Sequence, residues 1–185
     1  MNVQSHNGHW SRLLIELNRS LHHPQLFSIL TKPLPKPQRQ QLIDEIWTPF
    51  REVVAQQIIV AIDSGRSVIH LSIHSFTPSL DGNVRNADVA FLFDPARKIE
   101  QNIAVDWVNG LRADSRWRVR RNYPYRGAGD GHTTALRRRF SKSKYVGIEV
   151  EINQAMLADK RRAHCIADRL FAAISRQIPD LKSLG

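Results

Sequence analysis

The segment Ser67-Val68-Ile69-His70-Leu71-Ser72-Ile73 constrains the fold of this chain more than any other stretch. It is short, apolar and β-branched, with Ser64-Gly65-Arg66 before it and Pro78 after it, and so reads as a buried strand over 67–73. Upstream, Leu42, Ile46, Phe50, Val53, Val54, Ile58 and Ala61 recur at helical spacing, which predicts a helix over 38–62 that Pro49 kinks or interrupts. Gly65 stops that helix, as glycine commonly does at a C-terminal cap. The strand ends by delivering His74, flanked by hydroxyls, to the sheet's carboxyl edge, where open α/β sheets bind their ligands. An imidazole there is a candidate metal ligand, because neutral nitrogen suits a tetrahedral zinc site. The alternative is a capping histidine bonded to a loop carbonyl.

The remaining periodicities extend the same pattern. Leu13, Leu14, Ile15 and Leu17 predict a strand over 12–17, followed by a loop over 18–31 and an extended proline-rich stretch over 32–37. Further strands are expected at 88–93, 117–120 and 145–152. Helices are expected at 99–111, 133–140 and 154–178, the last carrying Ile166, Leu170, Ile174 and Ile178. Loops run through Asp81-Gly82 and over 122–131, which holds three glycines. Strands alternating with helices imply an α/β domain with a mostly parallel or mixed central sheet. No glycine-rich dinucleotide fingerprint follows a strand, and no P-loop lysine is present.

Composition narrows the function classes. The chain has 185 residues, 42% of them hydrophobic, enough for one domain with a substantial core. No apolar run approaches a membrane span and no signal-peptide core opens the chain, so a cytoplasmic protein is expected. A single cysteine, Cys165, excludes an intramolecular disulfide and fits a reducing compartment. The formal charge of +10 is concentrated at 116–121, 137–144 and 160–162. Such a surface attracts anions, but no zinc-finger spacing, RNP-like motif or basic zipper accompanies it, so nucleic acid stays a minor hypothesis.

Three places can carry chemistry. Asn18-Arg19, just past the first predicted strand, offers a guanidinium fork suited to a carboxylate; a plain surface arginine is the alternative. His74 is the second. In the third, Gly147-Ile148-Glu149-Val150-Glu151, alternation puts Glu149 and Glu151 on one face of a strand. Two carboxylates there are costly unless paired or hydrated. Either one is a general-base candidate, and a structural glutamate–arginine pair is the alternative.

Arg12, Glu16-Leu17-Asn18-Arg19, Ser72-Ile73-His74-Ser75 and Gly147-Ile148-Glu149 come in the order of zinc carboxypeptidase-like hydrolases. The longer runs are His70-Leu71-Ser72-Ile73-His74-Ser75-Phe76-Thr77-Pro78, Arg121-Asn122-Tyr123-Pro124-Tyr125-Arg126-Gly127 and Gly147-Ile148-Glu149-Val150-Glu151-Ile152-Asn153-Gln154. With 81–82, 84–88, 94–97, 130–131 and 133–137, they resemble the N-formylglutamate amidohydrolase family within that group. The resemblance covers nearly all of the chain from Ser11 onward. It implies a three-layer αβα fold of phosphorylase/hydrolase type, zinc carboxypeptidase-like, and hydrolysis of an N-acyl or N-formyl amino acid. It makes His74 the last protein ligand of a zinc ion and Glu149 the base that deprotonates zinc-bound water. By the same resemblance Glu151 is expected to orient a substrate-binding arginine, Arg12 to polarise the scissile carbonyl, and Asn18 and Arg19 to hold the substrate carboxylate. The resemblance also leads us to expect Arg85, Asn122 and Tyr125 to line the same crevice.

One departure accompanies the match. The family's other zinc ligands, a histidine and a glutamate, are expected well upstream of Arg12, where this sequence has eleven residues. The expectation is a single, N-terminally incomplete domain over 1–185, with 1–10 a disordered tail. His6 and His9 are the nearest substitutes, and a bared sheet edge would favour self-association. An inactive homologue that binds small carboxylates is the competing expectation.

Overall fold

The computed structural model describes residues 3–114 and 116–176. The chain divides into two compact units, Met1–Arg66 with Asp130–Leu136, and Ser67–Gly129 with Arg137–Gly185. Each is treated by itself.

In the first unit, helix α1 (Lys36–Leu42) passes through a π-helical turn (Ile43–Trp47) into α2 (Thr48–Asp63). The π turn ends two residues before Pro49. Thr48 N–H bonds back to Ile43 O, five residues earlier. The widened turn accommodates a proline ring that lacks an N–H and would crowd a carbonyl in a regular helix. The helix ends as expected: Gly65 takes a φ of 85° and Arg66 N donates to Ala61 O across it.

The strand expected over 12–17 is absent. That segment is a series of turns, with Leu14 N donating to Ser11 O and Arg19 N to Glu16 O. Several of its other backbone groups are taken by the following loop rather than by a sheet. Glu16 N donates to Leu26 O, and the Ser28 and Thr31 hydroxyls donate to the carbonyls of Leu13 and Leu14. The apolar run still builds a core, because Ile15 is buried with Leu26 and Ile46. Continuous apolarity signals burial, and here burial is met by irregular chain.

The second unit holds a four-stranded sheet of order β1-β6-β4-β5, where β1 is Val68–Phe76, β4 Val89–Leu92, β5 Val119–Arg121 and β6 Tyr145–Asn153. β1 and β6 run parallel, as do β4 and β5, while β4 and β6 are antiparallel. The α/β class with a mixed sheet is therefore as expected. A small hairpin, β2 (Ser79–Leu80) and β3 (Asn83–Val84), turns at Asp81-Gly82, both with positive φ.

Helices α3 (Lys98–Asp114) and α5 (Lys160–Ser175) cover one face of the sheet. Ile103, Ala104, Trp107, Val108 and Leu111 of α3 and Ile166, Leu170 and Ala173 of α5 pack on Val89, Phe91, Val146, Ile148, Val150 and Ile152. The last helix is shorter than expected. A 3-10 turn (Gln154–Leu157) precedes it, Asp159 caps it by accepting from Arg162 N, and Ile178 lies outside the described residues.

Two expectations about the central strand change. β1 continues three residues past Ile73, so His74 stands within the strand, opposite Glu151, and not beyond its end. Among the described residues β1 is also an edge strand and mostly half-buried, with Ile73 57% exposed, where a fully buried strand was expected. A strand with one neighbour cannot be covered as the inner β6 is, every residue of which is buried.

Candidate functional site

The register of β1 on β6 decides which side chains meet. Ser72 is the partner of Glu149 and His74 of Glu151, so His70, Ser72 and His74 share a face with Gly147, Glu149 and Glu151. Ala90 and Leu92 of β4 extend that face. It is the face opposite the α3–α5 core, which explains how one short strand carries both an apolar and a polar row.

On this face His74 Nε2 lies 2.8 Å from Ser72 Oγ and 3.9 Å from Glu149 Oε2. Glu149 and Glu151 are both buried. The pairing of two carboxylates on one face, foreseen from alternation, holds. His70 Nδ1 is 2.8 Å from the Tyr145 hydroxyl. Burial, with the charges of His74 and Arg137 adding to it, holds the His70 pKa down at about 4. Burial likewise pushes the Tyr145 phenol far above its ordinary value.

Two residues before Glu149, β6 meets a second cluster that sequence reasoning missed. β4 ends at Leu92, opposite Glu149, and beyond it the backbone of β6 meets side chains instead of a strand. Gly147 N donates to Glu100 Oε1 at 3.1 Å, Gly147 O accepts from Arg137 at 2.7 Å, and Tyr145 O accepts from Arg97. Glu100, wholly buried, also accepts from Asp94 N and from the Nε atoms of Arg97 (2.9 Å) and Arg137 (3.0 Å). Glu100 thus makes a buried glutamate–arginine pairing of its own. Arg137, counted in the sequence as part of a solvated basic run, is only 8% exposed. Helical periodicity cannot announce this, because Glu100 sits in a first helical turn where an acidic residue is ordinary.

In the first unit, Arg12 pairs with Glu16 at 2.7 Å and is largely exposed. Asn18 Oδ1 accepts from His132 N at 2.7 Å, the first residue of α4 (His132–Arg139), and Arg19 donates to Asp130 O at 2.9 Å. Ser20 N donates to Asp130 Oδ2. Burial raises the Asp130 pKa, but the Ser20 hydrogen bonds and the charges of His23 and Arg19 outweigh it, leaving a net lowering. Asn18 and Arg19 therefore stitch their loop to residues 130–132. His6 and His9 are exposed.

Arg85 and Tyr125 meet in the second unit: the guanidinium donates to the Tyr125 hydroxyl at 3.0 Å and lies 5.0 Å from the ring centre. Asn122, at a φ of 48°, turns its Oδ1 to the backbone N–H groups of Phe93 (3.0 Å) and Gly127 (3.2 Å). That side chain clamps its own loop.

A catalytic zinc takes three protein ligands. Among the described residues no three His, Cys, Asp or Glu stand close enough to hold an ion. The described residues thus do not fit a zinc centre held by this chain's side chains.

A family model described as N-formylglutamate amidohydrolase matches residues 3–158. Among solved structures, the chain is similar to a gene product of Agrobacterium tumefaciens, with 25% identity and a TM-score of 0.77 over 94% of this chain and 69% of that one. It is also similar to an N-formylglutamate amidohydrolase from Ralstonia eutropha, with 16% identity and a TM-score of 0.65 over 89% of this chain and 72% of that one. At that identity the likeness speaks for the fold alone. No curated protein matches the chain by sequence.

Proposed function

The chain belongs to the N-formylglutamate amidohydrolase family, and on that premise we propose that it hydrolyses the amide of an N-acyl amino acid, N-formylglutamate being the first substrate to test. The observation that carries the reading is the His74–Glu149 pair, set beside Ser72 on the polar face of the sheet. In this reading Glu149 takes the proton of the attacking water as general base. The water oxygen bonds to the acyl carbon, the C–N bond breaks, and the amine nitrogen receives the proton from Glu149. Ser72 fixes the His74 ring beside it. Zinc, implied by the resemblance, is given no step, because the described donors do not make its site.

Arg12 as the group that polarises the carbonyl, and Asn18 and Arg19 as the carboxylate clamp, remain proposals that rest on the resemblance. So do Arg85, Asn122, Tyr125 and Glu151 as further substrate contacts, and so does kinship with zinc carboxypeptidase-like enzymes. No helix among the described residues is long and apolar enough to cross a membrane.

The test is formate release from N-formylglutamate. Glu149→Gln is expected to lower kcat at least about a hundredfold, the usual scale of general-base catalysis. Equal rates in both proteins would remove Glu149 from the chemistry. The lack of three clustered donors among the described residues favours one second reading, a binder of small carboxylates without turnover. Calorimetric titration with glutamate separates the two: heat of binding with no formate release favours the binder, and no heat in either assay sinks it.

A further inference from the structure

The outer edge of β1 is the feature that the function above leaves unused. Val68 N donates to Lys144 O, so in the parallel ladder residues 68, 70, 72, 74 and 76 turn their backbone groups to β6. Residues 69, 71, 73 and 75 turn theirs outward, and among the described residues no strand pairs with them.

Protein edges normally carry a guard, such as a charge, a proline or a bulge. The opposite edge of this sheet has one, since β5 exposes Arg120 and Arg121. β1 has none: Val68-Ile69-His70-Leu71-Ser72-Ile73-His74-Ser75-Phe76 holds no Lys, Arg, Asp, Glu, Pro or Gly. In a chain of net charge +10, this uncharged strip is where two copies can approach with least repulsion.

The strip is also nearly self-complementary. About Ser72 the sequence reads His-Leu-Ser-Ile-His, the same pattern of residue types in both directions. A two-fold axis through Ser72 would pair β1 antiparallel with its own copy, with Leu71 opposite Ile73 on the apolar face and His70 opposite His74 on the polar face. The backbone parity agrees, because Leu71 and Ile73 are outward-facing and form a hydrogen-bonded pair, while Ser72 meets Ser72 in a non-hydrogen-bonded one. Ile73, 57% exposed in the single chain, would gain Leu71 of the second copy as its cover.

We propose that β1 is the interface for a second copy of this chain, joined strand to strand about Ser72 into an eight-stranded sheet. The joint is isologous and closes on itself, so it gives a dimer and no longer assembly. It also sets His70 of the second copy beside His74, next to the carboxylate of Glu149.

The full chain in a Cys165→Ser background tests this. Sedimentation velocity across the micromolar range should show a dimer that strengthens as salt screens the net charge. Ser72→Cys should oxidise to a disulfide-linked dimer, because non-hydrogen-bonded partners stand about 4.5 Å apart at Cα, within disulfide reach. Thr77→Cys, far from the axis, should stay uncrosslinked. Ile73→Lys should weaken the dimer at least about tenfold in Kd while circular dichroism and melting stay those of the parent. A monomer at every concentration and salt would overturn the proposal. So would a dimer that ignores Ile73→Lys and does not crosslink through Ser72→Cys. If Ile73→Lys fails to fold, the cysteine pair decides alone.

Discussion

Glu100→Ala tests whether side chains truly stand in for a strand beside β6. In the parent the carboxylate accepts from Arg97, Arg137, Gly147 N and Asp94 N and is wholly buried. Removing it takes a buried carboxylate away from two buried guanidinium groups, and breaking one buried ion pair by removing a partner costs about 3–5 kcal/mol. The two orphaned amides would add about 1–3 kcal/mol each if isolated. Members of one network do not add, and a total of about 4 kcal/mol is expected. Against a whole-domain stability of about 5–15 kcal/mol, that is a large share. With a urea slope of about 2 kcal/mol/M, the unfolding midpoint should fall by about 2 M. Trp107 reports the transition by fluorescence, since it is fully buried on the sheet that the network supports. Glu100→Gln, which keeps one acceptor oxygen, should lose roughly half as much. Hydrogen exchange adds a local readout: the Gly147 amide, protected in the parent, should exchange early in Glu100→Ala. A midpoint shift below about 0.5 M with Gly147 still protected would refute the stand-in argument.

Two further outcomes follow from the same geometry. His70 holds a proton only below about pH 4 in the folded chain, against 6.5 for the free side chain, so between these values the unfolded state binds more protons. Stability should therefore fall as pH drops from 6.5 toward 4, by roughly 3 kcal/mol at most, and melting of His70→Gln should lose that slope; an unchanged slope assigns it elsewhere. Asn122→Ala removes two hydrogen bonds to backbone and puts a β-carbon residue less suited to positive φ at 48°, so a loss of about 2–3 kcal/mol is expected by thermal denaturation. Parent-like stability with a raised KM would instead make Asn122 a substrate contact.

What the sequence made legible, and what it hid, divides along one physical line. Alternation along 145–152 put Glu149 and Glu151 on one face because side-chain direction in a strand is local, and the structure keeps them there. Apolar spacing located α2 and its glycine stop for the same reason. The residues misjudged are those whose role depends on a partner far along the chain. Ile15 and its neighbours are apolar because they are buried, and whether burial comes as strand or turn was decided by hydroxyls at Ser28 and Thr31. Arg137 lies 37 residues from Glu100 and 10 from Gly147, and no window of sequence distinguishes it from Arg138 beside it. His74 combines both cases. It stood out at once as a candidate, but its position inside β1, and so its pairing with Ser72 and Glu149, depended on how far β6 carries the strand. A histidine beyond a strand's end is held by its loop. One within the strand is held by the register, so its distance to Glu149 should change little unless β6 itself shifts. The Glu100 cluster, which grips β6 at Gly147, is therefore the remote lever on that pair: Glu100→Gln should disturb His74 and Glu149 more than any substitution in the β2–β3 hairpin.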